Sequence, residues 1–427
     1  MLARVALAAI IAPALAAAPH PAAAAVAAGH PAAWSRAAAT PVAHPRVVSA
    51  DPVDTTPHVL DGIVNAIAVV GRTVVVGGAF SEVADARRTT VLPRANLFAY
   101  DLRTGRILPG FAPHVPGPVR ALAAGDHDTV YVGGDFHGVN GGRPTALARL
   151  RLSDGTAVPG FAPRLVGGAV NALARHGRML YVGGDFVAPR AALARLDAGT
   201  GAADPGFDIT PGAPLASGVK VHALAVAGGR LAVDGSFTTL DGRSRPQLGL
   251  IDVSGPVARV APWRTSAYAG KCASAFPSYV RGLDFAPDGS HFVVVTTGGP
   301  RGGMCDTAAR FETYAKGSNI RPTWVNATGG DSLYAVAVTG AAVYVGGHQR
   351  WLDNPRGRDS AGPGAVSRPG IGAIHPRTGK ALSWNPTRER GIGVKAFSAH
   401  ATGLLVGSDT TRLGREYHAR IGMFPLP

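Results

Sequence analysis

Charged residues are scarce in this sequence. They make up 16% of it, against about 25% in an average soluble chain, which argues against long helices laced with salt bridges. Glycine occurs 57 times and proline 34 times, as expected where tight turns separate many short strands. The apolar fraction of 46% can build a sizeable core and excludes a disordered chain. We therefore predict an all-β fold.

Acidic residues are the scarcer of the charged types, so the formal net charge is +15. A positive surface can attract nucleic acid, anionic lipid or acidic polymers. The chain has no long run of basic residues, however, and its arginines are scattered and far outnumber its lysines. This pattern is typical of a coding sequence with biased base composition, so we expect no nucleic acid partner.

Long hydrophobic runs are missing outside the N-terminus. Residues 5–18 are apolar, follow an early arginine and precede small residues, which is the layout of a secretory signal peptide. The stretch contains proline and is shorter than the roughly 20 residues that span a bilayer. We expect a signal peptide at 1–28, a flexible leader rich in Ala, Pro and His at 29–45, and no transmembrane segment. The protein should be secreted, and extracellular or associated with the cell wall.

Cysteines and standard catalytic motifs are almost absent. Only Cys272 and Cys305 occur, and an even count in a secreted chain favours a disulfide over free thiols or a nucleophile. The motifs HExxH and GxSxG, a phosphate-binding loop and spaced Cys/His zinc sets do not occur. The 14 histidines are scattered without ligand spacing. The sequence therefore predicts no cofactor and no metal site.

What the chain does contain is a repeated unit. The octets TVYVGGDF at 129–136 and MLYVGGDF at 179–186 each follow a short segment of the VNALAR type. A third segment, a turn containing TG or DG, and a fourth segment ending in PGF come after them. Seven such units align at a period that varies between about 50 and 60 residues, which indicates a β-propeller of four-stranded blades. The glycine pair is expected to permit close backbone approach or turn geometry.

The seventh unit lacks its fourth segment, and the N-terminal part of the domain can supply it. TPHVLDGIVNAI at 56–67 resembles APHVPGPVRAL at 112–122, so the residues just before 56 stand where a fourth strand belongs. We therefore predict a seven-bladed β-propeller at 46–427, with its ring closed by an N-terminal strand. Closure of this kind leaves no free sheet edge between the first and last blades.

The repeat also resembles a known family. YVGGDF, followed by LARLRLSDGTAVPGF at 147–161 or LARLDAGTGAADPGF at 193–207, is similar to the delta-60 repeats of secreted and surface propeller proteins of actinomycetes and other bacteria. The double glycine resembles that of kelch repeats. The similarity covers most of residues 60–425 and is strongest in the first three units. It implies a secreted bacterial β-propeller, and it implies no particular chemistry.

One column of the alignment carries the candidate site. The second residue of each first strand is polar in all seven units, and the first strand of a propeller blade is innermost. These residues should form a channel-mouth ring of Asn65, Arg120, Asn171, His222, Arg281, Tyr334 and Lys395. Three cations, a histidine and no acid predict a basic site for an anionic ligand. Polar residues that merely line a water-filled channel are the alternative.

We expect a monomeric, non-enzymatic binding protein whose partner is an anionic small molecule, a glycan or a protein. The alternative is an extracellular propeller hydrolase, lyase or lactonase acting in the central funnel, a class that needs convergent acids or a metal. A purely structural cell-wall scaffold is a third possibility.

Three further groups of residues stand out. Asp135, Asp185 and Asp409 share one position, where they could surround a cation or, as we prefer, accept hydrogen bonds from the turn that leaves the second strand. Arg149 and Arg195 share a third-strand position and should make contacts between blades. The insertion 263–279 is either a lid with stacking surfaces for sugars or a segment packed on its own blade; its aromatic residues are Trp263, Tyr268, Phe276 and Tyr279.

Overall fold

The computed structural model describes residues 42–215, 217–299 and 303–427, and every regular element in them is a β-strand. Seven sheets follow the repeat and are called repeat sheets 1 to 7; four smaller sheets accompany them. Within these residues we find no helix with the length and apolarity needed to cross a membrane. The predicted signal peptide at 1–28 and most of the predicted leader at 29–45 lie outside the described residues.

Each repeat sheet contains three or four strands. Sheet 1 contains Ile63–Val70, Thr73–Ala79 and Leu97–Asp101. Sheet 2 contains Val119–Ala124, Thr129–Gly134 and Leu147–Arg151. Sheet 3 contains Val170–His176, Met179–Gly184 and Leu193–Asp197. Sheet 4 contains Val221–Ala227, Arg230–Gly235, Leu248–Asp252 and Arg259–Val260. Sheet 5 contains Val280–Phe285, His291–Thr296, Thr307–Glu312 and Trp324–Ala327. Sheet 6 contains Leu333–Val338, Val343–Gly347 and Ile371–Ile374. Sheet 7 contains Ala396–His400, Gly403–Gly407 and Ile421–Pro425.

The four accessory sheets are built from loop segments. The first contains His58–Val59, Glu82–Ala84 and Val91–Pro93, and the second contains Pro211–Pro214, Phe237–Leu240 and Arg243–Ser244. The third pairs Trp351–Leu352 with Val366–Ser367, and the fourth pairs Arg412–Leu413 with Glu416–Tyr417.

Each repeat sheet is an antiparallel meander whose strands pair in chain order. Four strands are present in sheets 4 and 5, whereas in sheets 1, 2, 3 and 6 the fourth segment makes a single bridge to the third strand. In sheet 7 the N-terminal segment lies along the last strand. The Ser49 backbone N–H donates to the Pro425 carbonyl at 2.8 Å, and that of Val53 donates to the Met423 carbonyl at 2.9 Å.

The first strands close into a ring. Each packs against the first strand of the next repeat sheet, and that of sheet 7 packs against that of sheet 1. Apolar clusters fill the spaces between neighbouring sheets; the cluster at the junction joins Leu405 and Met423 to Val64 and Phe98. A closed cycle of antiparallel sheets around a channel is a β-propeller, so this part of the prediction is confirmed.

The two glycines of the repeated motif make room for different neighbours. A Cβ on the first glycine, Gly133, would lie 2.5 Å from Cγ1 of Val170 in the next sheet. A Cβ on the second, Gly134, would lie 2.2 Å from the Pro118 carbonyl oxygen in its own sheet. The close approach expected from the sequence is therefore of a side chain in the first case and of backbone in the second.

A disulfide joins Cys272 to Cys305, 33 residues apart in the chain. Closing a loop of this length stabilises a fold by about 3 to 4 kcal/mol on the chain-entropy estimate. Beside it, the Ala273 backbone N–H donates to the Gly298 carbonyl at 3.0 Å. The insertion is thus fastened to the segment that follows the second strand of sheet 5.

The aromatic residues of the insertion belong to the core. Three of them are buried, namely Trp263, Tyr268 and Tyr279. The fourth, Phe276, packs against the same apolar cluster. The Trp263 indole donates to the Glu312 carbonyl at 3.1 Å, which fixes the insertion to the third strand of sheet 5. The lid with stacking surfaces for sugars is therefore wrong, because the aromatic rings are used for packing.

Two arginines connect neighbouring repeat units, as predicted. Arg195 Nη2 donates to the Pro256 carbonyl at 2.6 Å, and Arg149 Nη1 lies 3.4 Å from the Ala198 carbonyl oxygen. Each carbonyl belongs to the unit that follows. The contacts between blades expected for this position are confirmed.

Gln349 departs from the repeat in sheet 6. It stands where sheets 1 to 4 have a phenylalanine, as at Phe136 and Phe186. The side chain is fully buried, and neither its amide oxygen nor its nitrogen has a hydrogen-bond partner among the described residues. Burying an amide without partners costs roughly 1 to 3 kcal/mol.

Replacing Gln349 by methionine is expected to raise the free energy of unfolding by about 1 to 2 kcal/mol, because it removes this cost with little change in volume. Urea denaturation would show a higher midpoint at an unchanged slope. Gln247→Met is the matched control: this buried amide donates to the Tyr268 carbonyl at 2.9 Å and accepts from the Tyr279 N–H at 2.7 Å, so its loss should destabilise. A lower midpoint for Gln349→Met would contradict the prediction.

Candidate functional site

The channel-mouth ring occupies a β-bulge that recurs in sheets 1 to 6. In sheet 1, Val64 pairs with Gly78 and Ala66 with Gly77, which leaves Asn65 between them without a partner. The pairing shifts at the same place in sheets 2 to 6. A bulge re-aims the side chain of its extra residue. The repeated polarity seen in the sequence thus coincides with a repeated irregularity of the backbone.

The structure brings the ring residues together. Six of them line one cavity of about 260 Å³ at this end of the channel: Asn65, Asn171, His222, Arg281, Tyr334 and Lys395. Arg120 lies beside the cavity. Its Nη1 donates to Asn171 Oδ1 at 2.8 Å and its Nη2 to Asp135 Oδ2 at 2.7 Å, so a carboxylate already neutralises its charge.

The asparagines of the ring hold neighbouring sheets together. Asn65 Nδ2 donates to the Val119 carbonyl at 3.1 Å, and Asn171 Nδ2 donates to the Val221 carbonyl at 3.2 Å. Each carbonyl belongs to the first strand of the next sheet. The half of the ring contributed by sheets 1 to 3 therefore serves the scaffold.

The other half of the ring holds the accessible positive charge. Arg281 donates to two backbone carbonyls, those of Val280 at 3.0 Å and Ser278 at 2.8 Å, which fix the guanidinium in place. Lys395 Nζ lies 3.3 Å from the centre of the Tyr334 ring, a cation–π contact. Within the described residues neither cation forms a salt bridge. Two fixed cations without a carboxylate are suited to receive an anionic group.

Burial sets the protonation of the ring. Burial, together with the nearby Arg281 charge, lowers the pKa of Lys395 to about 8, so the ammonium persists at neutral pH. Burial, together with the charges of Arg281 and Lys220, lowers the pKa of His222 to about 4. This histidine is therefore neutral near pH 7 and adds nothing to the charge of the mouth.

An apolar ring separates the mouth from the rest of the channel. It lies two residues further along each first strand and consists of Ile67, Leu122, Leu173, Leu224, Leu283, Val336 and Phe397. All but Leu173 also line a second cavity, of about 560 Å³, on the far side. The channel thus has a polar mouth, an apolar ring below it, and a far chamber whose lining includes Arg175, Asp284 and His400.

The far chamber contains one carboxyl that the alignment did not single out. Asp284 occupies a position that is alanine in five other units, and its Oδ2 accepts a hydrogen bond from the Val338 N–H at 2.8 Å. Burial raises the pKa of Asp284 to about 7. In the sequence Asp284 is an acid in an alignment column that is otherwise mostly alanine. A search for columns that are polar in every unit does not find such a residue.

Asp185 and Asp409 share the position that follows the second strand with Asp135. Both of them cap the turn that enters the first strand. Asp185 Oδ1 accepts from the N–H of Ala169, the residue before that strand, at 2.6 Å, and Asp409 makes the same contact in sheet 7. In sheet 2 this preceding residue is Pro118, which has no N–H, so Asp135 pairs with the ring arginine instead. The hydrogen-bonding interpretation is confirmed for two of the three, although the turn is the one entering the first strand.

Similarity to known proteins is confined to the fold. No family model and no curated protein matches the sequence. Among solved structures, the computationally designed Ika8 protein is 13% identical with a TM-score of 0.48, over 89% of this chain and 100% of that one. The WD40 β-propeller domain of Doa1 is 10% identical with a TM-score of 0.49, over 87% and 98%. BamB from Moraxella catarrhalis is 14% identical with a TM-score of 0.45, over 84% and 92%. The fold assignment rests on the closed cycle of repeat sheets.

Proposed function

We propose that the protein is a secreted, non-enzymatic propeller of the delta-60 type whose channel mouth binds an anionic group of a small molecule, a glycan or a partner protein. The single observation that carries the proposal is the pair Arg281 and Lys395. Both cations line one cavity, both are fixed by neighbours, and neither is neutralised by a carboxylate in the described residues.

The scaffold of this proposal is a seven-bladed propeller at 46–427, preceded by a signal peptide at 1–28 and a leader at 29–45. Its blades are four-stranded with a shortened outer strand in most of them, and the N-terminal strand completes the seventh blade. The hydrogen bonds from Ser49 and Val53 to the last strand support this closure. The disulfide supports an oxidising, extracellular compartment.

Binding of inorganic phosphate and of a sulfated disaccharide, measured by isothermal titration calorimetry, would test the site. Arg281→Gln and Lys395→Met are each expected to weaken binding about tenfold or more, since each removes a charge-assisted contact while keeping much of the side chain. Arg259→Gln is the control, because this exposed arginine lies on the outermost strand of sheet 4. Variants that bind like the unmodified protein, or no binding of either probe, would overturn the proposal.

The pH dependence gives an independent check. Because the pKa of Lys395 is lowered to about 8, raising the pH from 7 to 9 removes the lysine charge and should weaken anion binding several-fold. Lys395→Met should bind more weakly at pH 7 and lose little more by pH 9. A binding constant that changes equally with pH in both proteins would show that the lysine does not contact the anion.

A further inference from the structure

We propose that Asp54, Glu416 and His418 form a binding site for a divalent first-row transition metal ion such as Zn²⁺, at the junction where the ring closes. The site is separate from the channel mouth and does not depend on the function proposed for it. The three residues could not be recognised as neighbours in the sequence, because Asp54 lies near the start of the described chain and the other two lie near its end.

The separation of the ligand atoms fits one ion. A nitrogen or oxygen atom from each of the three residues lies within 4.8 Å of the other two, and His418 Nε2 is 3.8 Å from a carboxylate oxygen of Glu416. Protein ligands lie about 2.0 to 2.2 Å from Zn²⁺, so two ligand atoms on one ion are at most about 4.4 Å apart. Binding would draw these atoms closer than the 4.8 Å within which they now lie, and Asp54 is an exposed residue.

His418 supplies the observation that points to a ligand. Its residue is only 3% exposed, yet within the described part of the chain neither ring nitrogen makes a hydrogen bond. Burying a polar group without a partner is costly, and buried histidines are normally satisfied. The buried nitrogen without a partner is Nδ1. The Nε2 atom lies 3.8 Å from Glu416 Oε2, too far for a hydrogen bond, and a metal ion bound to both atoms would bridge that gap.

The carboxylates are crowded in a way that a cation would relieve. The carboxylates of Asp51 and Asp54 both lie close to that of Glu416. Asp51 is exposed and near enough to Glu416 to hydrogen-bond with it, so it could serve as a further oxygen ligand. Like charges brought together on a folded surface repel each other unless a positive charge lies among them.

The donor set selects the class of ion. One imidazole with two or three carboxylates suits Zn²⁺ and neighbouring transition metals, whereas Ca²⁺ prefers oxygen ligands alone. The divalent ion would also link the two ends of the ring. Asp54 follows Val53, which is hydrogen-bonded to the last strand of sheet 7, while Glu416 belongs to the hairpin between the second and third strands of that sheet.

The test measures Zn²⁺ binding to the full chain by isothermal titration calorimetry. One Zn²⁺ per chain is expected, together with a rise in Tm of a few degrees at saturation. Asp54→Asn and Glu416→Gln should each weaken the affinity tenfold or more, and Ca²⁺ should not compete. Hydrogen exchange should show that Zn²⁺ protects the backbone amides of residues 49–55.

Matched controls come from the turn of sheet 2. His127→Asn and Asp128→Asn remove an exposed histidine and an exposed acid that are remote from the junction, and both should bind Zn²⁺ as the unmodified protein does. His418→Asn should abolish binding, but it also alters a buried position, so Asp54→Asn, at an exposed residue, is the decisive variant. Unchanged affinity in both Asp54→Asn and Glu416→Gln, or no Zn²⁺ binding below millimolar concentration, would overturn the proposal.

Discussion

Replacing Asp331 by asparagine should lower the free energy of unfolding by about 2 to 4 kcal/mol. The Asp331 side chain is 1% exposed and accepts hydrogen bonds from two arginines. Arg350 donates through Nε at 2.9 Å, through Nη2 at 3.1 Å and through its backbone N–H at 3.0 Å, and Arg390 donates to Oδ1 at 2.5 Å. An amide of the same shape leaves these guanidinium groups without their buried counter-charge. The cost is moderated because both arginines are partly exposed.

The contact matters because it spans two repeat sheets. Asp331 lies in the turn entering sheet 6, and Arg390 lies in the loop that leads to sheet 7. Asp359→Asn is the matched control, since Asp359 pairs with the same Arg350 but is 67% exposed. Exposed ion pairs contribute about 0 to 1 kcal/mol, so urea denaturation should separate the two variants clearly. Equal losses would show that the burial of Asp331 does not determine its contribution.

Asp234→Asn should change how stability depends on pH. Asp234 stands at the first-glycine position of sheet 4 and is fully buried; its Oδ1 accepts from the Ala223 N–H at 3.0 Å, while Oδ2 has no partner among the described residues. Burial raises the pKa of Asp234 to about 8, although the bond from Ala223 and the Arg281 charge act in the opposite direction. At neutral pH the folded protein therefore keeps this carboxyl protonated.

The direction of the effect follows from proton linkage. The unfolded chain releases the Asp234 proton near its ordinary pKa of 3.8, whereas the folded protein retains it until about 8. The stabilisation due to this proton is complete below pH 4 and is lost as the pH rises to 8, a loss on the order of 5 kcal/mol. Asparagine is neutral throughout and can still accept the bond from Ala223. The variant should match the unmodified protein near pH 4 and exceed it by several kcal/mol at pH 8.

Urea denaturation at pH 4, 6 and 8 measures this difference directly. Comparing the two proteins at each pH cancels the effects of other buried acids, such as Asp284 and Asp306, whose pKa values burial raises to about 7. Asp185→Asn is the opposite control. Despite its burial, hydrogen bonds from Ala169 and Lys220 keep the pKa of Asp185 below its ordinary value, so that variant should lose stability at pH 8 and little at pH 4. Parallel curves for Asp234→Asn and the unmodified protein would contradict the prediction.

Much of this molecule follows from its repeat, and the rest depends on departures from it. The alignment column of polar residues predicted a ring, because residues at one position of a repeated unit must occupy equivalent places around an axis. It could not predict that Asn65 and Asn171 are used between sheets, or that His222 is neutral, since those depend on neighbours from other units. Asp234 and Asp284 are the only acids in columns that are mostly glycine and mostly alanine, and comparison of units treats such residues as drift.

The junction of the ring shows a second limit. Asp54 and His418 meet only because the chain closes on itself, and no periodicity in the sequence relates them. The aromatic residues of the insertion illustrate the reverse error, since their composition suggested a binding surface while Trp263 and Tyr268 pack into the core. Composition indicates what a segment could contact, but only the packing shows which contacts are made.

The recurring bulge gives the channel mouth an unusual freedom to vary. Because the side chain at that position is excluded from strand pairing, Asn65, Arg281 and Tyr334 can differ in size and charge while the adjacent pairs keep the same register. Apart from the two asparagines that bond to the next sheet, mutation can therefore alter the chemistry of the opening one blade at a time with little penalty for folding. A lineage of such proteins could diversify the opening of the channel on an unchanged frame, and a protein engineer could use the six bulge positions as a library.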